Sequence, residues 1–397
     1  MFRSLVVCIS LLLTFSAKGQ IQYKKGIVYD SIPVSGTTNE SFALYLPEGF
    51  QQNELNSIVF VFEPAARAVI GIRPFIEAAD KYNHVLICSN NSRNGSYERN
   101  FSIANNLFTH IFSHFNIKED AMYLAGFSGG ARLACAIASI SNQFSGVVAC
   151  GAGFPSVPEY KPNLQHYAYV GLVGNRDMNY REMLKNKDYL QLLKFNSTLI
   201  TYNGDHSWPL PEQITRAFDW LHLQKLKKSL SKSSDEIMGL YVDAFKRIEA
   251  YKHENRLLRA SEQYERIIQT FKDFIGVDSL IHQHQRLLAS KAYKNQVLSF
   301  SSILKQEEKI ANKLHSRMTS DFENPNNAKF AWWKKELAKL DALDEKGDAE
   351  TKNMVYRIKF DVFARAYSRK NSLLFEENQD QIRLAEQFIT LIYPKNK

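Results

Sequence analysis

Met122-Tyr123-Leu124-Ala125-Gly126-Phe127-Ser128-Gly129-Gly130-Ala131-Arg132-Leu133-Ala134-Cys135-Ala136 is the stretch whose reading decides the fold. Its first four residues are apolar and suit a buried strand. Its last six are apolar and mostly short apart from Arg132, and suit a helix packed closely on that strand. Between them stands G-x-S-x-G, which carries a serine on a sharp strand-to-helix turn. The residues flanking such a serine must be small for the turn to close. The helix that follows points free N–H groups and the positive end of its dipole at any negative charge developing beside the serine. A glycine-rich structural turn would show the same pentapeptide, but not this strand before it and this helix after it. Ser128 is therefore read as a nucleophile.

Working outward, apolar β-rich runs occur at Ser57–Phe62, Val85–Cys88, Met122–Ala125, Gly146–Cys150, Tyr167–Val173 and Thr198–Tyr202. Several are continuous rather than alternating, as parallel strands buried on both faces require. Helical stretches lie between them at Ile72–Tyr82, Asn100–Phe115, Gly130–Ile140 and Glu212–Leu223. Strand and helix in alternation imply a parallel sheet with helices on both faces. An antiparallel strand around Phe42–Leu46 is expected ahead of it.

A nucleophilic serine needs a base, and the base needs an orienting carboxylate. In a sheet of this kind they follow in the order Ser, Asp or Glu, His, each on a loop at a strand's carboxyl end. Asp177 leaves the run Val170–Gly174, and His206 leaves Thr198–Tyr202 within Gly204-Asp205-His206-Ser207-Trp208-Pro209. A helix cap would explain Asp177 alone, and a loop histidine beside a buried tryptophan would explain His206 alone. Together they complete the set. Asp205 adjoins His206 and is poorly placed to reach its far ring nitrogen. For the oxyanion, the N–H of Gly129 is one expected donor. Pro64 has no N–H, so Ala65 in Glu63-Pro64-Ala65-Ala66-Arg67 is expected to be the second. Arg67 either clamps an anionic substrate group or sits in solvent. Asn91, in Asn90-Asn91-Ser92-Arg93-Asn94-Gly95, and Trp208 are candidate pocket residues.

The remainder of the chain obeys a different grammar. Residues 1–225 hold 15 Gly and 9 Pro, and residues 226–397 hold 3 Gly and 2 Pro, so the second half has few breaks. Apolar residues at helical spacing predict helices over Met238–Tyr251, Leu257–Phe274, Ile281–Phe300, Ser302–Ser316, Ala328–Leu343, Thr351–Tyr367 and Gln379–Tyr393. Ala260-Ser261-Glu262-Gln263-Tyr264 with Phe271 is similar to the second helix of a tetratricopeptide repeat, although no clean period runs on from it. The polar stretch Lys227–Ser234 reads as a linker. The expected organisation is a leader at 1–19, an α/β domain at 20–226 and an all-α domain at 234–397. A chain ending near Lys228 is expected to fold and to turn over a small ester, with the tail adding binding or shape.

The leader carries Arg3, the apolar run Leu5–Phe15 and Ala17-Lys18-Gly19 as a cleavage site. A run of eleven residues falls short of the about 20 that span a bilayer. Export to the periplasm or beyond is expected, with no membrane insertion. Cys88, Cys135 and Cys150 sit in apolar surroundings and read as buried thiols, with one bridge left open. The net charge of +9 is spread thinly, and its one cluster, Lys225, Lys227, Lys228 and Lys232, reads as solvated linker rather than a nucleic-acid patch. His282 and His284 lack further ligands at zinc spacing. Gly151-Ala152-Gly153 is followed by Ser156 where a dinucleotide fingerprint wants glycine.

At the serine, aspartate and histidine segments the chain resembles the α/β-hydrolase superfamily. It looks most like its dienelactone-hydrolase-like, polyhydroxybutyrate-depolymerase and feruloyl-esterase-like members, whose histidine loop often reads G-x-x-H-x-W-P, as Gly204 to Pro209 does. The similarity covers residues 38–224 and not the helical tail. It implies hydrolysis of small or polymer-linked carboxylic esters through an acyl-enzyme, with no cofactor. Peptidase and acyltransferase chemistry use the same triad, and a non-catalytic helical-repeat binder is the reading from another class. The tail would then offer a surface to a protein partner. One departure stands out: the family commonly has His-Gly where this chain has Glu63-Pro64.

Overall fold

The computed structural model describes residues 23–162, 167–228, 233–373 and 378–393. The expected leader lies outside them, as do residues 229–232 of the expected linker. The strands are β1 (Val28–Pro33), β2 (Ser41–Tyr45), β3 (Asn56–Phe62), β4 (His84–Ser89), β5 (Ile117–Phe127), β6 (Gly146–Cys150), β7 (Ala168–Gly174) and β8 (Ser197–Tyr202). They form one eight-stranded sheet in the order β1-β2-β4-β3-β5-β6-β7-β8. β1 and β2 are antiparallel, β2 runs antiparallel to β4, and the rest are parallel. Together with the helices below this is the α/β-hydrolase fold.

Helices α1 (Ala68–Ile72), α2 (Ile76–Tyr82), α3 (Tyr97–His114), α4 (Gly129–Ile140), α5 (Tyr180–Leu192) and α6 (Pro211–Lys227) alternate with the strands. The alternation of side chains along each strand sorts the core into two layers. Phe60, Phe62, Leu124 and Val147 meet Leu107 and Ile111 of α3 and Leu133 and Ile137 of α4 on one face. Val59, Val61, Tyr123 and Val148 meet Phe75, Ala78, Phe218 and Leu221 on the other. β4, β6 and β7 are buried along their whole lengths, which explains their continuous apolar sequences. Cys88, Cys135 and Cys150 lie in this core, unbridged, and burial pushes each thiol up.

The tail folds as α7 (Ser234–His253), α8 (Leu257–Phe271), α9 (Asp278–Ala289), α10 (Lys291–Glu323), α11 (Phe330–Lys346), α12 (Ala349–Leu373) and α13 (Gln379–Ile392). The break expected between residues 300 and 302 is absent. It lies instead at Ser290, whose hydroxyl accepts from Tyr293 N–H and starts α10. A serine in a helix interior costs little, whereas one with extended backbone caps. Among the described residues no helix is long and apolar enough to cross a membrane.

These helices are not detached from the sheet. Leu223 of α6 shares a core with Ile248, Tyr264, Ile267 and Phe271. Arg266 of α8 donates from Nε to Thr198 Oγ1 at 2.9 Å and from Nη2 to the Leu199 carbonyl at 2.6 Å, on β8. Arg357 of α12 is 1% exposed; it ion-pairs with Glu307 of α10 and Glu350, and donates to the Asn175 carbonyl in the loop after β7. Even the basic cluster is engaged, with Lys225 on Asp120 and Lys227 on Asp273. These contacts bear directly on the expectation that a chain ending near Lys228 folds and turns over a small ester. A chain ending at Lys228 uncovers Leu223 and removes Arg357 from the Asn175 loop. It should be poorly soluble, or melt well below the full chain and lose at least tenfold in ester turnover. Arg357→Ala in the full chain, which strands Glu307 in the interior, should cost about 3–5 kcal/mol in urea unfolding.

Candidate active site

β5 ends at Phe127 and α4 begins at Gly129, so Ser128 alone makes the turn. Its backbone has φ 52° and ψ −119°, a region L-residues seldom occupy. Its N–H donates to the Cys150 carbonyl at 2.8 Å, and its carbonyl accepts from Arg132 N–H at 3.1 Å. Small neighbours are obligatory. A Cβ at Gly126 would lie 2.4 Å from the Gly130 carbonyl, and one at Gly130 would lie 2.0 Å from the Phe62 carbonyl.

The loops after β7 and β8 are laced together by Asn175 N–H to the Tyr202 carbonyl and Arg176 N–H to the Gly204 carbonyl. This brings the two remaining candidates to the serine. His206 Nε2 lies 2.9 Å from Ser128 Oγ, and His206 Nδ1 lies 2.9 and 3.0 Å from the Asp177 carboxylate oxygens. Asp177 is fully buried and also accepts from Asn179 N–H at 2.8 Å. Burial raises its pKa, and the hydrogen bond from His206 opposes that rise. Asp205 points elsewhere: its carboxylate accepts from Tyr356 Oη of α12 at 3.4 Å.

The imidazole of His206 packs near two rings, Phe127 at 4.7 Å and Phe360 of α12 at 5.9 Å between centroids. Trp208 is half-buried and braces Phe127 at 5.2 Å and Phe75 at 5.8 Å, so it supports the histidine loop from behind. A cavity of about 320 Å³ opens at Ser128, lined by Glu63, Asn94, Tyr97, Arg132, Met178 and Asn179 among others. Among the described residues no group of three or more His, Cys, Asp or Glu is placed to hold a metal.

Two expectations, on Ala65 and Asn91, are corrected here, and the one on Arg67 is narrowed. The Ala65 N–H, expected at the oxyanion, donates to the buried Glu63 carboxylate at 2.7 Å. Arg67 is exposed to solvent, the second of its two readings, yet it is tethered there. Its N–H and its guanidinium bind the same carboxylate, with Nε at 3.1 Å. Asn91 is a strut rather than a pocket residue: its carboxamide accepts from Ser41 N–H and donates to the Asn39 carbonyl, both at 2.9 Å. Sequence reasoning missed Glu63 as the organiser of its own loop, although its i, i+4 spacing to Arg67 was a usable signal. It also missed Tyr356 and Phe360, which no local pattern ties to residues 205 and 206.

No family model matches the chain, and no curated protein matches it. Among solved structures it is similar to a fluorophosphonate-binding serine hydrolase of Staphylococcus aureus, at 15% identity and TM-score 0.42 over 49% of this chain and 97% of that one. It is similar to an S-formylglutathione hydrolase of the same organism at 17% identity and TM-score 0.43, over 51% and 99%. A feruloyl esterase module from Clostridium thermocellum matches at 13% identity and TM-score 0.40, over 50% and 87%.

The buried Asp177 supplies a test of the geometry. A carboxyl whose pKa is raised in the folded chain above its ordinary 3.8 binds protons more tightly there than in the unfolded chain. Its contribution to stability is therefore greatest at low pH and declines as pH rises through that window. Asp177→Asn removes the decline. Its thermal transition at pH 7 should equal or exceed wild type, while any reaction using His206 falls by about 10⁴ through the wrong tautomer.

Proposed function

We propose that the chain is an exported serine hydrolase that cleaves carboxylic esters, with Ser128 as nucleophile, His206 as general base and Asp177 as the orienting acid. One observation carries this reading: the unbroken hydrogen-bonded line from Asp177 through both nitrogens of His206 to Ser128 Oγ, each step about 2.9 Å. The strained turn adds to it, since an unused serine gains nothing from such a conformation.

The steps follow from the placement. Ser128 Oγ attacks the ester carbonyl carbon as His206 Nε2 accepts its proton. The carbonyl π electrons move onto oxygen, where the Gly129 N–H and the amino-terminal end of α4 hold the charge. Collapse expels the alcohol, which takes the proton from His206, and leaves an acyl-Ser128. Water then enters, gives its proton to His206, and the same sequence releases the acid. Asp177 keeps Nδ1 protonated so that Nε2 faces the serine as acceptor, and it offsets the imidazolium charge in between. The Phe127 and Phe360 rings fix the imidazole plane.

Ser128→Ala should lower turnover of a nitrophenyl ester by about three orders of magnitude or more without changing the thermal transition. The same substitution should abolish labelling by a fluorophosphonate probe. Asp205→Asn should keep at least a third of wild-type turnover, because its partner is Tyr356. If Asp205→Asn were the damaging change and Asp177→Asn the mild one, the assignment of the acid would be overturned. Matched ester and amide substrates complete the test: faster cleavage of the amide would replace the esterase reading with a peptidase.

A further inference from the structure

We propose that the side-chain carboxamide of Asn94 is the second oxyanion donor, replacing the backbone amide that the loop after β3 has given up. This rests on the triad reading above. The loop's own amides are committed. Pro64 has no N–H, and the Ala65 N–H is held by Glu63. Glu63 is 1% exposed, and its carboxylate is satisfied by Ala65 N–H, Arg67 N–H and the Arg67 guanidinium. Turning the Ala65 amide toward a substrate would remove a donor from a buried anion, which is unfavourable. An oxyanion beside Ser128 thus has the Gly129 N–H and needs a second donor from outside that loop.

Asn94 is the side chain in that position. A Cβ built on Gly129 would lie 1.7 Å from Asn94 Oδ1 and 3.5 Å from Nδ2, so the carboxamide lies directly over the residue that follows the nucleophile. Asn94 lines the same cavity as Ser128 and Gly129. Oxygen and NH₂ of a carboxamide have nearly the same shape, and a half-turn about the Cβ–Cγ bond exchanges them. The oxygen faces Gly129. The NH₂ end takes that position once an ester carbonyl oxygen is bound there, before charge builds on it.

A donor assists only if it is held in place before the charge appears. The backbone under Asn94 meets that condition. Asn94 N–H donates to the Pro64 carbonyl at 2.9 Å, and Arg93 pairs with Ala65 in an isolated antiparallel bridge. The buried carboxamide of Asn100 clamps the turn from beneath, accepting from Arg93 N–H at 3.2 Å and donating to the Arg93 and Ser96 carbonyls at 2.9 and 3.1 Å. Glu63 therefore has two linked effects. It withdraws one backbone donor, and it fixes the loop on which the substitute donor's own loop is anchored. The carboxamide exchanges no proton in this role. It stabilises the electron pair that moves onto oxygen as the Oγ–C bond forms, and releases it when the alcohol leaves.

The test compares Asn94→Ala and Asn94→Asp with wild type on a nitrophenyl ester, with thermal transitions as controls. The aspartate keeps the shape of asparagine and replaces its donor with an acceptor, so it remains informative if the alanine variant were to perturb the loop. Asn94→Ala should lower kcat about 100-fold with KM within threefold, and slow fluorophosphonate labelling of Ser128 in proportion. Asn94→Asp should fall at least as far. A kcat within threefold of wild type in either folded variant overturns the proposal, as does a change confined to KM. Ser128→Ala separates this outcome from a failure of the triad: if it loses turnover while the Asn94 variants do not, only the oxyanion assignment falls.

Discussion

The hydrogen bond from Ser128 N–H to the Cys150 carbonyl, across a turn that L-residues avoid, is the constraint around which the site is built. It joins the end of β5 to the end of β6 and holds the hydroxyl clear of the sheet. A conformation of this kind costs about 1–3 kcal/mol and persists only when its surroundings over-determine it. They do so here by contact. Gly130 lies against the Phe62 carbonyl of β3, so the elbow is clamped between the strands on either side of β5. Helix α4 then buries Ala131, Leu133, Ala134 and Cys135 and cannot back away.

The second tier is long-range. Asp177 and His206 reach the serine because their loops are bonded to each other, and the outer side of that pair is closed by α12. Arg357, 182 residues from Asn175 in sequence, donates to its carbonyl, and Phe360 backs the imidazole. A buried guanidinium is expensive unless fully paired, and this one meets two carboxylates, a carbonyl and the Tyr180 ring. The helical region is thus part of the wall that sets the histidine, even though none of Ser128, Asp177 and His206 belongs to it.

What could be read in the sequence follows the range of the interactions. The elbow is legible because strand, small residues and helix are contiguous, and Asp177 and His206 because strand ends announce loops at a fixed place in the order. The β-rich runs gave six of the strands directly, whereas β1 was silent: Val28–Pro33 is half-exposed and bulged, so its pattern is weak. Ala65 failed for a local reason that spacing alone does not weigh, namely that a buried carboxylate two residues earlier outcompetes a transient charge for the amide. Asn91 failed because a polar loop residue at a strand end can face the sheet edge as readily as the cavity. Tyr356, Arg357 and Phe360 were illegible in kind, since a helix's apolar stripe says that it packs but not against what.

Both margins of the sheet share one further property. At one side β1 carries a register shift between Tyr29 and Ile32, with Ser31 at φ 57°, which twists the ladder out of line. At the other, the guanidinium of Arg266 occupies the Leu199 carbonyl of β8, and α8 stands over the strand. An outermost strand with free N–H and carbonyl groups is a template on which another chain can add itself. Here one template is bent and the other is blocked by a cation. The chain can therefore carry a long run of apolar strands at high local concentration without offering a straight edge for a second molecule to extend, and Arg266 is the residue on which that protection turns at β8.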